Sequence, residues 1–191
     1  MIVLIAGLIV FLGVHLVRVL ADDWRSAQIE RHSAKAWKLA YTAVSVIGFA
    51  LIVSGFHLAR LNRIVLWPRI PGMNHFAALL VLLAFILLAA AYVPHNHLKA
   101  RFGHPMVLSV KVWALAHLLA NNTLADLLLF GGFLAWAVVC FISLRRRDRA
   151  AGVVPPAGTA MGTVLTVIIG AVAWAVLAFW LHAWLIGVQP I

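Results

Sequence analysis

Nine histidines stand in a chain of 191 residues whose composition is otherwise 65% apolar and 10% charged. Histidine is the commonest metal ligand among side chains and can move a proton near neutral pH. His15 shares a helical stripe with Phe11, Leu12, Arg18, Val19 and Asp22, at three- and four-residue spacing. An apolar helix with His, Arg and Asp down one face is expected to turn that face into a bundle. A second group is His104, Lys111 and His117. His104-Pro105 reads as a helix start, because proline suits the first helical position, and His104 is a candidate cap there. At about 100° per residue, His104 and His117 point about 140° apart around that helix, so one narrow site sees one or the other. His117 shares its stripe with Val110, Trp113, Ala114 and Asn121; His104 shares its stripe with Leu108 and Lys111.

Two neutral imidazoles from separate helices are a usual way to hold a b-type haem in a membrane bundle, with cations near the interface for its propionates. His15, His117 and Arg18 meet that requirement in kind. The ordinary reading of each is a hydrogen-bonded packing residue, and both readings stand. The other histidines call for less. His32, His95 and His97 fall in loops, and His95-x-His97 supplies only two ligands. His57, His75 and His182 lie near span ends. The single cysteine, Cys140, sits in an apolar run and reads as packing; one cysteine excludes an intrachain disulfide and a thiolate cluster.

These residues need helices to carry them, and the hydropathy pattern supplies all-α architecture: a polytopic transmembrane bundle of about six spans in a single domain, 1–191. A soluble domain carries about 25% charged residues, far more than here. Apolar runs near the roughly 20 residues of a spanning helix occur at 2–20, 37–58, 74–93, 105–119, 124–144 and 162–188. The first begins apolar at once, without the basic start of a signal peptide, and reads as a retained span. The fourth is short and holds Lys111 and His117, so it is expected to face a protein interior, and one interior site is expected between spans one and four. Trp67-Pro68-Arg69-Ile70-Pro71-Gly72, Pro94-His95-Asn96-His97, Asn121-Asn122-Thr123 and Val154-Pro155-Pro156 punctuate the runs.

The net charge of +10 comes from cations in short loops, which suits anionic lipid headgroups. No basic groove with interleaved aromatics points to nucleic acid. Arg18, Arg25, Arg31, Lys35, Lys38, Lys99, Arg101, Arg145, Arg146, Arg147 and Arg149 follow spans one, three and five; Arg60, Arg63 and Arg69 lie on the other side. The positive-inside rule therefore predicts an inner-membrane protein with both termini on the non-cytoplasmic side.

The segment Gly103-His-Pro-Met-Val-Leu-Ser-Val-Lys-Val-Trp-Ala-Leu-Ala-His117-Leu-Leu-Ala-Asn resembles the core motif of the NnrU family. Gly7-Leu-Ile-Val-Phe-Leu-Gly-Val-His15, Asp23-Trp-Arg25 and the tail from Arg145 through Pro155 to His182 fit the same family, so the resemblance spans the chain. It implies a membrane protein associated with nitrite and nitric oxide reduction in denitrification, with denitrification or respiratory membrane proteins as partners. Through the related plant 15-cis-zeta-carotene isomerase it implies haem b, ligands at His15 and His117, and His104 in the matching His-Pro position. The isomerase's ligand cysteine, one turn before the second histidine, is Ala114 here. A more distant likeness to isoprenylcysteine carboxyl methyltransferases stops at the His-Pro segment, since no acidic residue follows Asp148 and no tyrosine follows Tyr92. Three readings follow: a haem protein supporting denitrification, a haem-dependent isomerase of a lipophilic polyene, and a non-catalytic membrane assembly factor.

Overall fold

The computed structural model describes all residues from Met1 to Ile191. In chain order the helices are α1 (Ile2–Leu20), α2 (Asp22–His32), α3 (Ala34–Leu61), α4 (Met73–Tyr92), α5 (His97–Phe102), α6 (Pro105–Ala120), α7 (Leu124–Ala150), α8 (Ala160–Val176), a π-helical turn (Leu177–Leu181) and α9 (His182–Ile186). Five are long and apolar enough to cross a bilayer: α1, α3, α4, α7 and the continuous run Ala160–Ile186; α6 is a shorter apolar helix. The chain is a multi-pass helical membrane protein. Its exposed surface agrees, since Ile2, Ile9, Val46, Phe49, Leu79 and Trp184 are all more than half exposed, as lipid-facing side chains are.

The chain divides into two compact units, Met1–Trp67 with Asn122–Trp136, and Pro68–Asn121 with Ala137–Ile191. In the first unit α1 and α3 pack antiparallel along a stripe of small residues. Gly48, Ile52, Gly55 and Ala59 are the buried positions of α3, spaced at three and four residues. A Cβ on Gly7 would lie 2.6 Å from the backbone nitrogen of Ile52, one on Gly48 would lie 2.8 Å from that of Phe11, and one on Gly55 would collide with the backbone of Leu4. Helices in lipid gain little from hydrophobic burial, so close backbone approach at small residues is what drives their association.

α1 ends at Ala21, and the polar α2 begins at once. The sequence stripe that ran from His15 to Asp22 is therefore broken: Asp22 opens α2 and pairs with Arg25 at 2.9 Å. Ser33, at φ 86°, turns the chain into α3, and its hydroxyl accepts from the Ala36 amide. α3 begins three residues before the expected span and continues three beyond it, which adds a polar turn at each end. The 62–67 segment is tied to the start of α7, with Leu66 N–H donating to the Asn122 carbonyl and Leu124 N–H to that of Ile64. Thr123 and Asp126 exchange side chain-to-amide bonds there, the capping arrangement the Asn121-Asn122-Thr123 break implied.

In the second unit α4 packs against both α6 and α8. Gly162, Thr166 and Gly170 form the buried stripe of α8, and a Cβ on Gly170 would lie 2.5 Å from the Ile86 Cα. Asn96, 1% exposed, holds the turn after α4. Its amide donates to the carbonyls of Ala90 and Val93, and its side-chain oxygen caps α5 by accepting from the Lys99 amide. Cys140 is buried and unpaired in a disulfide sense, as a packing residue would be.

Candidate functional site

The antiparallel α1–α3 pairing sets what surrounds His15. Tyr41, Gly48 and Gly55 lie seven residues apart on α3, so the stripe that admits Leu4 and Phe11 brings Tyr41 to His15. Their ring centroids are 5.2 Å apart. Phe11 stacks on the other side at 4.3 Å, and Trp136 from α7 meets the imidazole edge-on at 6.1 Å and 85°. The Nδ1–H of His15 donates to the Phe11 carbonyl at 2.6 Å. That bond fixes the tautomer and leaves the lone pair on Nε2. The indole N–H of Trp136 is buried without a hydrogen-bond partner, which costs about 1–3 kcal/mol.

Below His15, at the C-terminal end of α1, a cavity of about 240 Å³ is lined by Val14, His15, Val17, Arg18, Arg25, Trp37 and Tyr41. His15 and Arg18 both line it. Arg25, Trp37 and Tyr41 were not expected beside His15 from the sequence. Only Tyr41 had a readable signal there, its heptad spacing to Gly48 and Gly55.

His117 belongs to the second unit. It repeats the backbone tether of His15: its Nδ1–H donates to the carbonyl four residues back, that of Trp113, at 2.8 Å. The Trp113 ring lies 5.0 Å away. Asn121 donates to the His117 carbonyl at 2.9 Å. Ala114 is fully buried.

A family model described as NnrU protein matches residues 3–190. The chain belongs to the NnrU family. No curated protein and no solved structure matches it.

His104, the third histidine of the NnrU chain to attract attention, takes a different position. It is the N-cap residue of α6, yet its side chain does not cap the helix. Its Nε2 meets Asp148 Oδ2 at 2.8 Å, with the two side chains 23% and 26% exposed. Gly103, at φ +74°, makes the sharp turn, and a Cβ there would lie 3.1 Å from Arg145 Nη1. Phe141 sits edge-on to His104 at 6.5 Å, and Lys111 Nζ lies 4.8 Å over the same ring. The shared stripe of His104 and Lys111 is therefore a real face, directed at Phe141. No group of three or more His, Cys, Asp or Glu side chains is arranged to hold a metal ion, and His97 Nδ1 of the His95-x-His97 pair lies 2.8 Å from the Thr163 hydroxyl. Because the His104–Asp148 pair is partly solvated, His104→Ala should lower stability by no more than about 1 kcal/mol. Unfolding of the variant and parent in mixed micelles measures the difference.

Proposed function

We propose that this NnrU protein is a haem b-binding protein of the inner membrane that supports nitrite and nitric oxide reduction, with His15 and His117 as the candidate haem ligands and Arg18 as a cation for a propionate. The observation that carries the reading is the matched tether of the two imidazoles. Each gives its Nδ1–H to a backbone carbonyl one helical turn back, and such a bond is what orients a ligating histidine and raises the basicity of its other nitrogen. The donor chemistry fits the group: neutral imidazole nitrogens, flat aromatic neighbours in Phe11 and Tyr41, and Arg18 one turn nearer the helix end.

When bound, haem would supply one-electron chemistry, its potential set by the axial ligands and by burial. The chain's own part is to hold each imidazole in one tautomer, to surround His15 with aromatic rings, and to offer a guanidinium for a carboxylate. His104, engaged through Nε2 by Asp148, is left out of the ligand set. The isomerase alternative lacks a thiol at Ala114, and that position is fully buried.

The test is the reduced-minus-oxidised absorption spectrum of detergent-purified protein, expressed with full haem supply. A haem b band near one haem per chain is the expected result. A colourless, folded protein would leave the membrane assembly reading in its place.

A further inference from the structure

The cavity at the end of α1 shares His15, Arg18 and Tyr41 with the haem reading, which leaves Val14, Val17, Arg25 and Trp37 without a role. Its lining combines two valines, two large aromatic rings, Trp37 and Tyr41, and two guanidinium groups, Arg18 and Arg25, beside His15. We propose that this cavity binds the phosphate of an anionic phospholipid, with Arg25 on the phosphate oxygens and the valines against the first methylenes of the acyl chains.

Four observations support that occupant. The first is size: about 240 Å³ falls below the roughly 300–1,000 Å³ of sites that enclose a drug-sized molecule, and suits a headgroup. The second is place. The cavity lies where α1, an apolar span, gives way to the polar α2, and Trp24 and Trp37 meet edge-on there at 5.7 Å. Tryptophans at such a boundary mark the headgroup level of a bilayer. The third is charge. Between residues 18 and 41 lie Arg18, Arg25, Arg31, Lys35 and Lys38 against Asp22, Asp23 and Glu30, an excess of cations that favours an anionic over a zwitterionic headgroup. The fourth is preorganisation. Arg25 Nη1 donates to Asp22 at 2.9 Å, which uses one of five guanidinium N–H donors and tethers a side chain whose remaining donors suit phosphate oxygens.

The cavity borders the candidate haem residues His15 and Arg18, so the test is made on Arg25, which the haem reading does not use. The full chain, purified in detergent, is titrated with dioleoyl phosphatidylglycerol and followed by native mass spectrometry, with dioleoyl phosphatidylcholine and inorganic phosphate as parallel arms. One phosphatidylglycerol per chain should be retained in clear preference to phosphatidylcholine. Arg25→Gln should weaken that retention roughly tenfold or more, the cost of a lost charged hydrogen bond. Arg25→Lys should keep part of it, and Lys38→Gln, outside the cavity, should keep all of it. The haem band of Arg25→Gln should match that of the parent, so failure of one reading is visible apart from the other. Equal retention of the two lipids, displacement of the lipid by inorganic phosphate, or an equal loss in Lys38→Gln would each overturn the assignment.

Discussion

Gly55→Leu is expected to separate α1 from α3 and to cost at least about 3 kcal/mol, the upper range for overpacking. The reason is what the new side chain meets. A Cβ at Gly55 runs into the backbone of Leu4 and Val3, and backbone cannot swing aside as a flexible side chain can. The helices would have to move apart along the whole stripe that includes Gly7 and Gly48. Because lipid is as apolar as the helix faces, no hydrophobic gain offsets the lost contact. Unfolding in mixed micelles, followed by far-ultraviolet circular dichroism, measures the effect. Gly13→Leu is the control: nothing lies within 4 Å of a Cβ at Gly13, and leucine is a better helix former than glycine. Equal behaviour of the two variants would show that the glycine stripe does not hold the pair together.

His15→Ala and His117→Ala are each expected to reduce bound haem to less than about a tenth of the parent's content, since loss of even an outer-shell partner costs metal sites ten- to a hundredfold. The measurement is pigment per mole of folded protein, with the absorption band position recorded for each variant. The control is His104→Ala, whose imidazole is committed to Asp148. Full haem content in His15→Ala would make that ring a packing residue between Phe11 and Tyr41. Loss of haem in His104→Ala with His117→Ala intact would transfer the ligand role to the His-Pro segment.

Particular residues show how far the sequence reaches. The spans and their breaks are local: each is an apolar run ended by proline, glycine or a capping residue, and Thr123 with Asp126 closes the third of these breaks by reciprocal side chain-to-amide bonds. The family match, over residues 3–190, is likewise a property of the sequence alone. Helicity in 22–32 was not legible, because α2 has no apolar stripe to read. Asp148 was not legible as the partner of His104, since it lies 44 residues away at the end of another helix. Nor were Trp37 and Arg25 as neighbours of His15.

What the sequence determined by itself is that this is an all-helical membrane protein of the NnrU family, with imidazoles placed inside its spans. Exclusion of the polar backbone from lipid forces each apolar run into a helix whatever its neighbours are. Only the tertiary structure decided which faces meet. A helix that is apolar all round does not declare its rotation, since lipid and protein interior demand the same side chains. The rotation of α3 is set by where Gly48 and Gly55 let α1 approach, and that packing, not the hydropathy of either helix, puts Tyr41 against His15.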